Sequence, residues 1–152
     1  MTTNLESVEA ILDFAIAREQ EAHDLYLVVA DLVTRAGLRQ TFLDLAEMEM
    51  GHRRKLEGIR SGQLPGFAPG KVEDLRISDA LLGVAPGPDM TYQETLMFAM
   101  KAEQRAHDLY VGLAAATSDP ALREVFRSLA GEELGHKHFF ETEYDDVVLA
   151  DN

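Results

Sequence analysis

Glutamate and histidine stand three residues apart at two places in this chain, Glu49-Met50-Gly51-His52 and Glu133-Leu134-Gly135-His136. On a helix, residues three apart share a face one turn apart, so each carboxylate and imidazole can grip one metal ion. A single Glu-x-x-His in an acidic helix is ordinarily solvated surface. Here the motif occurs twice, in matching contexts, which suggests two ions.

The matching context is an internal duplication with an offset of 84 residues. The run Glu19-Gln20-Glu21-Ala22-His23-Asp24-Leu25-Tyr26 returns as Glu103-Gln104-Arg105-Ala106-His107-Asp108-Leu109-Tyr110. Leu38, Arg39, Phe42, Leu45, Ala46, Glu49, Gly51, His52 and Glu57 return as Leu122, Arg123, Phe126, Leu129, Ala130, Glu133, Gly135, His136 and Glu141. Repeats of this kind signal one supersecondary unit used more than once, here a helical hairpin.

The elements that must position these groups follow from apolar spacing. Thr3-x-x-Glu6 is a capping-box signature ahead of a first helix whose apolar seam runs through Leu12, Ala15, Glu19, Ala22 and Tyr26. A turn is expected near Ala36-Gly37, with the glycine ending the helix. A second helix then carries Leu38, Phe42, Leu45, Glu49, His52 and Leu56. Glycines and prolines from Ser61 to Pro88 break the pattern, and within them residues 72–82 could form a short helix or an extended segment. Thr91-x-x-Glu94 caps a third helix through Leu96, Ala99, Glu103, Ala106, Tyr110 and Leu113. Asp119-Pro120 starts a fourth through Leu122, Phe126, Leu129, Glu133, His136 and Phe140, which the stretch Tyr144 to Leu149 should end. The expected organisation is one domain over 1–152, with hairpins at about 3–60 and 91–147 and a crossover at about 61–90.

Four seams thus each carry a glutamate where apolar residues are expected, and two add a histidine. Burying ionised carboxylates without compensation costs several kcal/mol. Two divalent cations would neutralise the charges of Glu19, Glu49, Glu103 and Glu133, with His52 and His136 neutral. One Glu from each of two helices and Glu-x-x-His from the other two is the ligand pattern of dimetal carboxylate bundles.

On these residues the chain resembles the ferritin-like superfamily, and within it the rubrerythrin-like di-iron proteins, over residues 8–57 and 92–141. The resemblance implies an all-α, ferritin-like antiparallel four-helix bundle made of two duplicated hairpins joined by a long crossover. It implies that Glu49 and Glu133 bridge two iron ions, with Glu19, Glu103, His52 and His136 as terminal ligands. Tyr26 and Tyr110 match the family's Glu-x-x-Ala-x-x-x-Tyr pattern, which implies hydrogen bonds to the ligands; as residues alone they read equally as core tyrosines. Rubrerythrins proper carry a further glutamate where this chain has Ala106, and a cysteine-rich rubredoxin domain that it lacks. The ligand set is equally like that of bacterioferritin, in which a haem-ligating methionine follows as Met50 follows Glu49. Here Met50 reads as a space-filling residue. Without the fifth helix of cage-forming ferritins, no storage shell is expected.

Other repeated polar residues read differently. His23 and His107 lie one step off the seam, which favours packing or hydrogen bonding between helices over metal binding. Asp24 and Asp108 should face solvent. Glu47 and Glu132 are expected on the surface.

Composition narrows the partners. The formal charge of −13 repels nucleic acid and anionic membranes and is compatible with attracting cations. The absence of cysteine rules out disulfides, thiol catalysis and Cys-ligated zinc or iron–sulfur centres within the chain. No secretory leader or membrane-spanning stretch is legible, so a cytoplasmic protein is expected. The expected activity is reduction of hydrogen peroxide, or O₂, at a di-iron centre, with electrons from an external donor such as a rubredoxin. The alternatives are iron handling by a ferroxidase, and a structural bundle holding zinc or manganese. Family resemblance points to a homodimer.

Overall fold

The computed structural model describes residues 8–61 and 91–151. They form four α-helices: α1 Val8–Leu32, α2 Ala36–Ser61, α3 Tyr92–Ala116 and α4 Pro120–Asp151. The chain divides into two compact units, Met1–Pro65 and Gly66–Asn152, each containing one helical hairpin. The expected first capping box at Thr3, most of the crossover, and the segment 72–82 lie outside the described residues. No helix among the described residues is long and apolar enough to cross a membrane.

In the first hairpin α1 buries Ile11, Leu12, Ala15, Tyr26, Val29 and Ala30, and α2 buries Phe42, Leu45, Ala46 and Leu56. The rings of Tyr26 and Phe42 lie 6.3 Å apart and tilted by 51°, which ties the two helices together near the turn. The break falls at residues 33–35, earlier than the sequence suggests, and Gly37 sits in the first turn of α2. A side chain does what the glycine was expected to do. Arg39 donates from Nε to the carbonyl of Ala30 at 3.1 Å and from Nη2 to that of Val33 at 3.3 Å, satisfying acceptors that the end of α1 leaves open.

The second hairpin repeats this construction. Leu96, Ala99, Leu109, Tyr110 and Leu113 of α3 and Phe126, Leu129, Ala130 and Phe140 of α4 are buried, most of them at positions equivalent to those buried in the first hairpin. Arg123, the counterpart of Arg39, donates from Nη2 to the carbonyl of Thr117 at 3.2 Å. Both helix starts expected from the sequence are present. Asp119 Oδ1 accepts from the amides of Ala121 at 2.9 Å and Leu122 at 3.4 Å. Thr91 and Glu94 form a reciprocal capping box, each side chain accepting from the other's amide at 3.0 Å. Helix α4 continues to Asp151, past the expected end.

The Thr91 box generates a test. Its hydrogen bonds hold the Glu94 carboxyl below the ordinary value of 4.5. A depressed folded-state pKa means that this contribution is complete above pH 4.5 and is lost as pH falls through the lower folded value. Thr91→Ala should cost about 1 kcal/mol at neutral pH in chemical denaturation. The Thr91 amide that the Glu94 carboxylate accepts from survives that substitution, so the pH-dependent part is read from Glu94→Ala, whose deficit against the parent should shrink as pH falls below 4.5.

Candidate metal centre

Three ligand-bearing side chains converge inside the first hairpin. Helix α1 presents Glu19 from its buried seam, and α2 presents Glu49 and, one turn later, His52. Their relative exposures are 2%, 1% and 4%, among the lowest for any polar residue among the described residues. His52 Nδ1 lies 3.5 Å from Glu19 Oε2 and 3.4 Å from Glu49 Oε1. One ligand atom from each of the three residues lies within 4.8 Å of those of the other two.

The second hairpin builds the same group from the same register. Glu103 of α3 and Glu133 and His136 of α4 are 2%, 1% and 5% exposed. His136 Nδ1 is 3.6 Å from Glu103 Oε1 and 3.9 Å from Glu133 Oε2. These three also offer ligand atoms within 4.8 Å of one another.

The separations between imidazole and carboxylate exceed a normal hydrogen bond. They suit a shared cation better. Bonds of about 2.1 Å to nitrogen and oxygen place neighbouring ligand atoms about 3.4 Å apart at the tetrahedral angle, and further apart as the angle opens. The donor set of carboxylate and imidazole accepts zinc, manganese and iron alike. Each hairpin therefore brings its three expected ligands into a dry, metal-sized group.

The remaining polar residues separate from these groups. His23 Nδ1 lies 3.0 Å from Asp24 Oδ1 and 3.4 Å from Gln20 Nε2, and His107 Nδ1 lies 3.2 Å from Asp108 Oδ1. Neither histidine belongs to a ligand group among the described residues. Asp24 and Asp108 are exposed, as expected, and each accepts a hydrogen bond of 2.8 Å from the glutamine four residues earlier. Tyr26 and Tyr110 are fully buried core residues. Met50 and Glu132 are half-buried and Glu47 is exposed.

Sequence reasoning missed Arg18, which is only 6% exposed directly before Glu19, and Glu143, which is 8% exposed and accepts from the Tyr92 hydroxyl at 3.1 Å. The available signal was a failure of the repeat. Ala102 occupies the position equivalent to Arg18, and Ile59 that equivalent to Glu143.

Comparison with known proteins places these groups in context. The family model described as Rubrerythrin matches residues 10–63 and 94–152. No curated protein matches the sequence. A hypothetical protein from Pyrococcus furiosus is similar in structure, with a TM-score of 0.73 and 24% identity over 91% of this chain and 89% of that one. A protein from Thermotoga maritima described as ferritin-like and diiron-carboxylate has a TM-score of 0.73 and 20% identity over 92% of this chain and 95% of its own. Likeness of this extent shows the fold class expected from the sequence, an all-α, ferritin-like four-helix bundle.

Two buried carboxylates beside one imidazole should be a burden without metal and an asset with it. Glu103→Gln should stabilise the metal-free protein by on the order of 1 kcal/mol, because a buried charge is removed at constant shape. The same substitution should reduce the gain in stability on adding Zn²⁺, which for the parent is about 2.7 kcal/mol per site at a hundredfold excess over Kd. Chemical denaturation with and without Zn²⁺ reads both signs.

Proposed function

This chain belongs to the rubrerythrin family, and from that premise we propose that it is a non-haem di-iron oxidoreductase that reduces hydrogen peroxide with electrons from an external donor. The ligands are Glu19, Glu49, His52, Glu103, Glu133 and His136. The observation that carries this reading is the repetition, in each hairpin, of two glutamates and one histidine that are almost fully buried and share a metal-sized space. Manganese and zinc fit the same donors, and the description of the Thermotoga maritima protein as diiron-carboxylate favours iron.

Two irons held by these six residues would supply two electrons, enough with two protons to convert one hydrogen peroxide to two waters. The chain's own residues supply the setting. Four carboxylates carry a charge of −4 that balances two divalent ions, so the loaded centre is close to neutral in a dry interior. Leu12, Ala15, Ala46, Leu96, Ala99 and Ala130, buried near the ligands in sequence, limit water around the reacting groups. Tyr26 and Tyr110, seven residues after Glu19 and Glu103, are the candidates to orient the glutamates by hydrogen bonding. The chain contains no cysteine and so no thiolate-bound iron–sulfur centre. We therefore propose an external electron donor, of the rubredoxin class.

An anaerobic Fe²⁺ titration of the metal-free protein, followed by oxidation of the loaded protein with H₂O₂ or O₂, tests the reading. Saturation at two irons per chain and much faster oxidation by peroxide, with iron retained, is the expected result. Preference for O₂ with Fe³⁺ release and continued consumption of Fe²⁺ would instead identify an iron-handling protein. Metal-dependent stability without turnover would identify a structural site. Glu133→Ala should lose stoichiometric uptake, and two irons bound by this variant would overturn the ligand assignment.

A further inference from the structure

Among Glu19, His52 and the polar residues one and five positions after each, the duplication is faithful at all but one position. In the first hairpin Glu19 is followed by Gln20 and, four residues on, by Asp24; His52 is followed by Arg53 and, four residues on, by Glu57. The second hairpin has Glu103, Gln104 and Asp108, then His136, Lys137 and Glu141. Only the arginine has changed, to lysine.

The consequence is structural. Gln20 donates to Asp24 Oδ1 at 2.8 Å, Arg53 Nη1 donates to Gln20 Oε1, and Arg53 Nε lies 3.2 Å from Glu57 Oε1. A continuous polar strap therefore runs from Asp24 and Gln20 on α1 to Arg53 and Glu57 on α2. It crosses between the residues that directly follow the ligands Glu19 and His52. In the second hairpin Gln104 donates to Asp108 Oδ1 at 2.8 Å, and Lys137 Nζ lies 4.0 Å from Glu141 Oε2. Each of those pairs stays on its own helix.

Physical chemistry explains the difference. The guanidinium of Arg53 is a planar fork that donates to Gln20 on the facing helix while its charge pairs with Glu57 on its own, whereas the ammonium of Lys137 is a compact point charge on a flexible stem. A strap one residue from each of two ligands restricts how α1 and α2 slide past each other at that level. It thereby restrains the backbone that carries Glu19 relative to the backbone that carries His52. Outer groups that fix ligand orientation are typically worth about 10- to 100-fold in metal affinity.

We propose that Arg53 is a positioning residue that makes the metal position served by Glu19 and His52 tighter than the one served by Glu103 and His136, so that the duplicated centre loads in a fixed order. This inference rests on the metal-binding reading above. The near-symmetric ligand set alone predicts that the first ion divides about evenly between the two positions.

The experiment titrates the full-length, metal-free protein anaerobically with Co²⁺ against a competing chelator. It also follows the strongly shifted imidazole N–H proton resonances of cobalt-bound histidines, assigned by their loss in His52→Gln and His136→Gln. The parent should show two stepwise constants separated by about tenfold or more, with the His52 resonance developing first. Arg53→Lys should weaken the tighter step about tenfold and bring the two together. Lys137→Arg, which adds a donor fork where Gln104 is already present, should tighten the weaker step. Because this variant gains a contact, a folding defect in Arg53→Lys would not decide the outcome alone. Parallel growth of the His52 and His136 resonances in the parent, or both variants leaving the two steps unmoved, would overturn the inference while leaving metal binding intact. Failure of the parent to bind Co²⁺ at all would overturn the metal-binding reading and this inference with it.

Discussion

Carboxylates in a dry interior are the constraint on which this structure depends. Glu19, Glu49, Glu103 and Glu133 occupy seam positions that leucine or alanine would fill at lower energetic cost, and each is at most 2% exposed. Nothing in helix propensity or apolar packing favours that choice. A cation held between carboxylate and imidazole turns the same four residues from a desolvation burden into a source of cohesion. Selection for binding rather than for stability is the physical reason for this core.

The helices around these groups are built to keep them in register. Apolar residues on either side of each glutamate bury a continuous stripe, so sliding one helix along its partner would move a charge into hydrocarbon. The hairpin turns add a second restraint, since Arg39 and Arg123 each donate through Nη2 to the carbonyl just past the preceding helix, and Arg39 adds a bond to the carbonyl of Ala30. Duplication copied both devices. That the two ligand groups have closely similar distances after extensive divergence elsewhere indicates that the hairpin is the unit on which the site is built.

Departures from the repeat carry information of another kind. Arg18 against Ala102, Glu143 against Ile59, and Arg53 against Lys137 are places where two copies of one hairpin acquired different surroundings. Substitution of arginine by lysine conserves charge and removes a fork. A reading by charge or hydropathy would pass over it, yet it determines whether the two helices of a hairpin are joined beside the ligands.

By itself the sequence determined the helical class, the duplication, the six candidate ligands and both described N-caps. Each of these rests on local spacing, three or four residues along a helix or 84 along the chain, and local spacing survives without knowledge of tertiary contacts. It placed the first turn at Ala36-Gly37, where tertiary structure instead ended α1 at Leu32 and closed it with Arg39. It favoured packing or hydrogen bonding between helices for His23 and His107, whose hydrogen bonds stay on their own helices, and it passed over Arg18, Arg53 and Glu143. For Arg53 and Glu143 only the folded hairpins decided, because a long polar side chain finds its partner across a gap between helices. Which acceptor it meets there depends on helix separation and rotation, and no pattern along one strand of sequence encodes either.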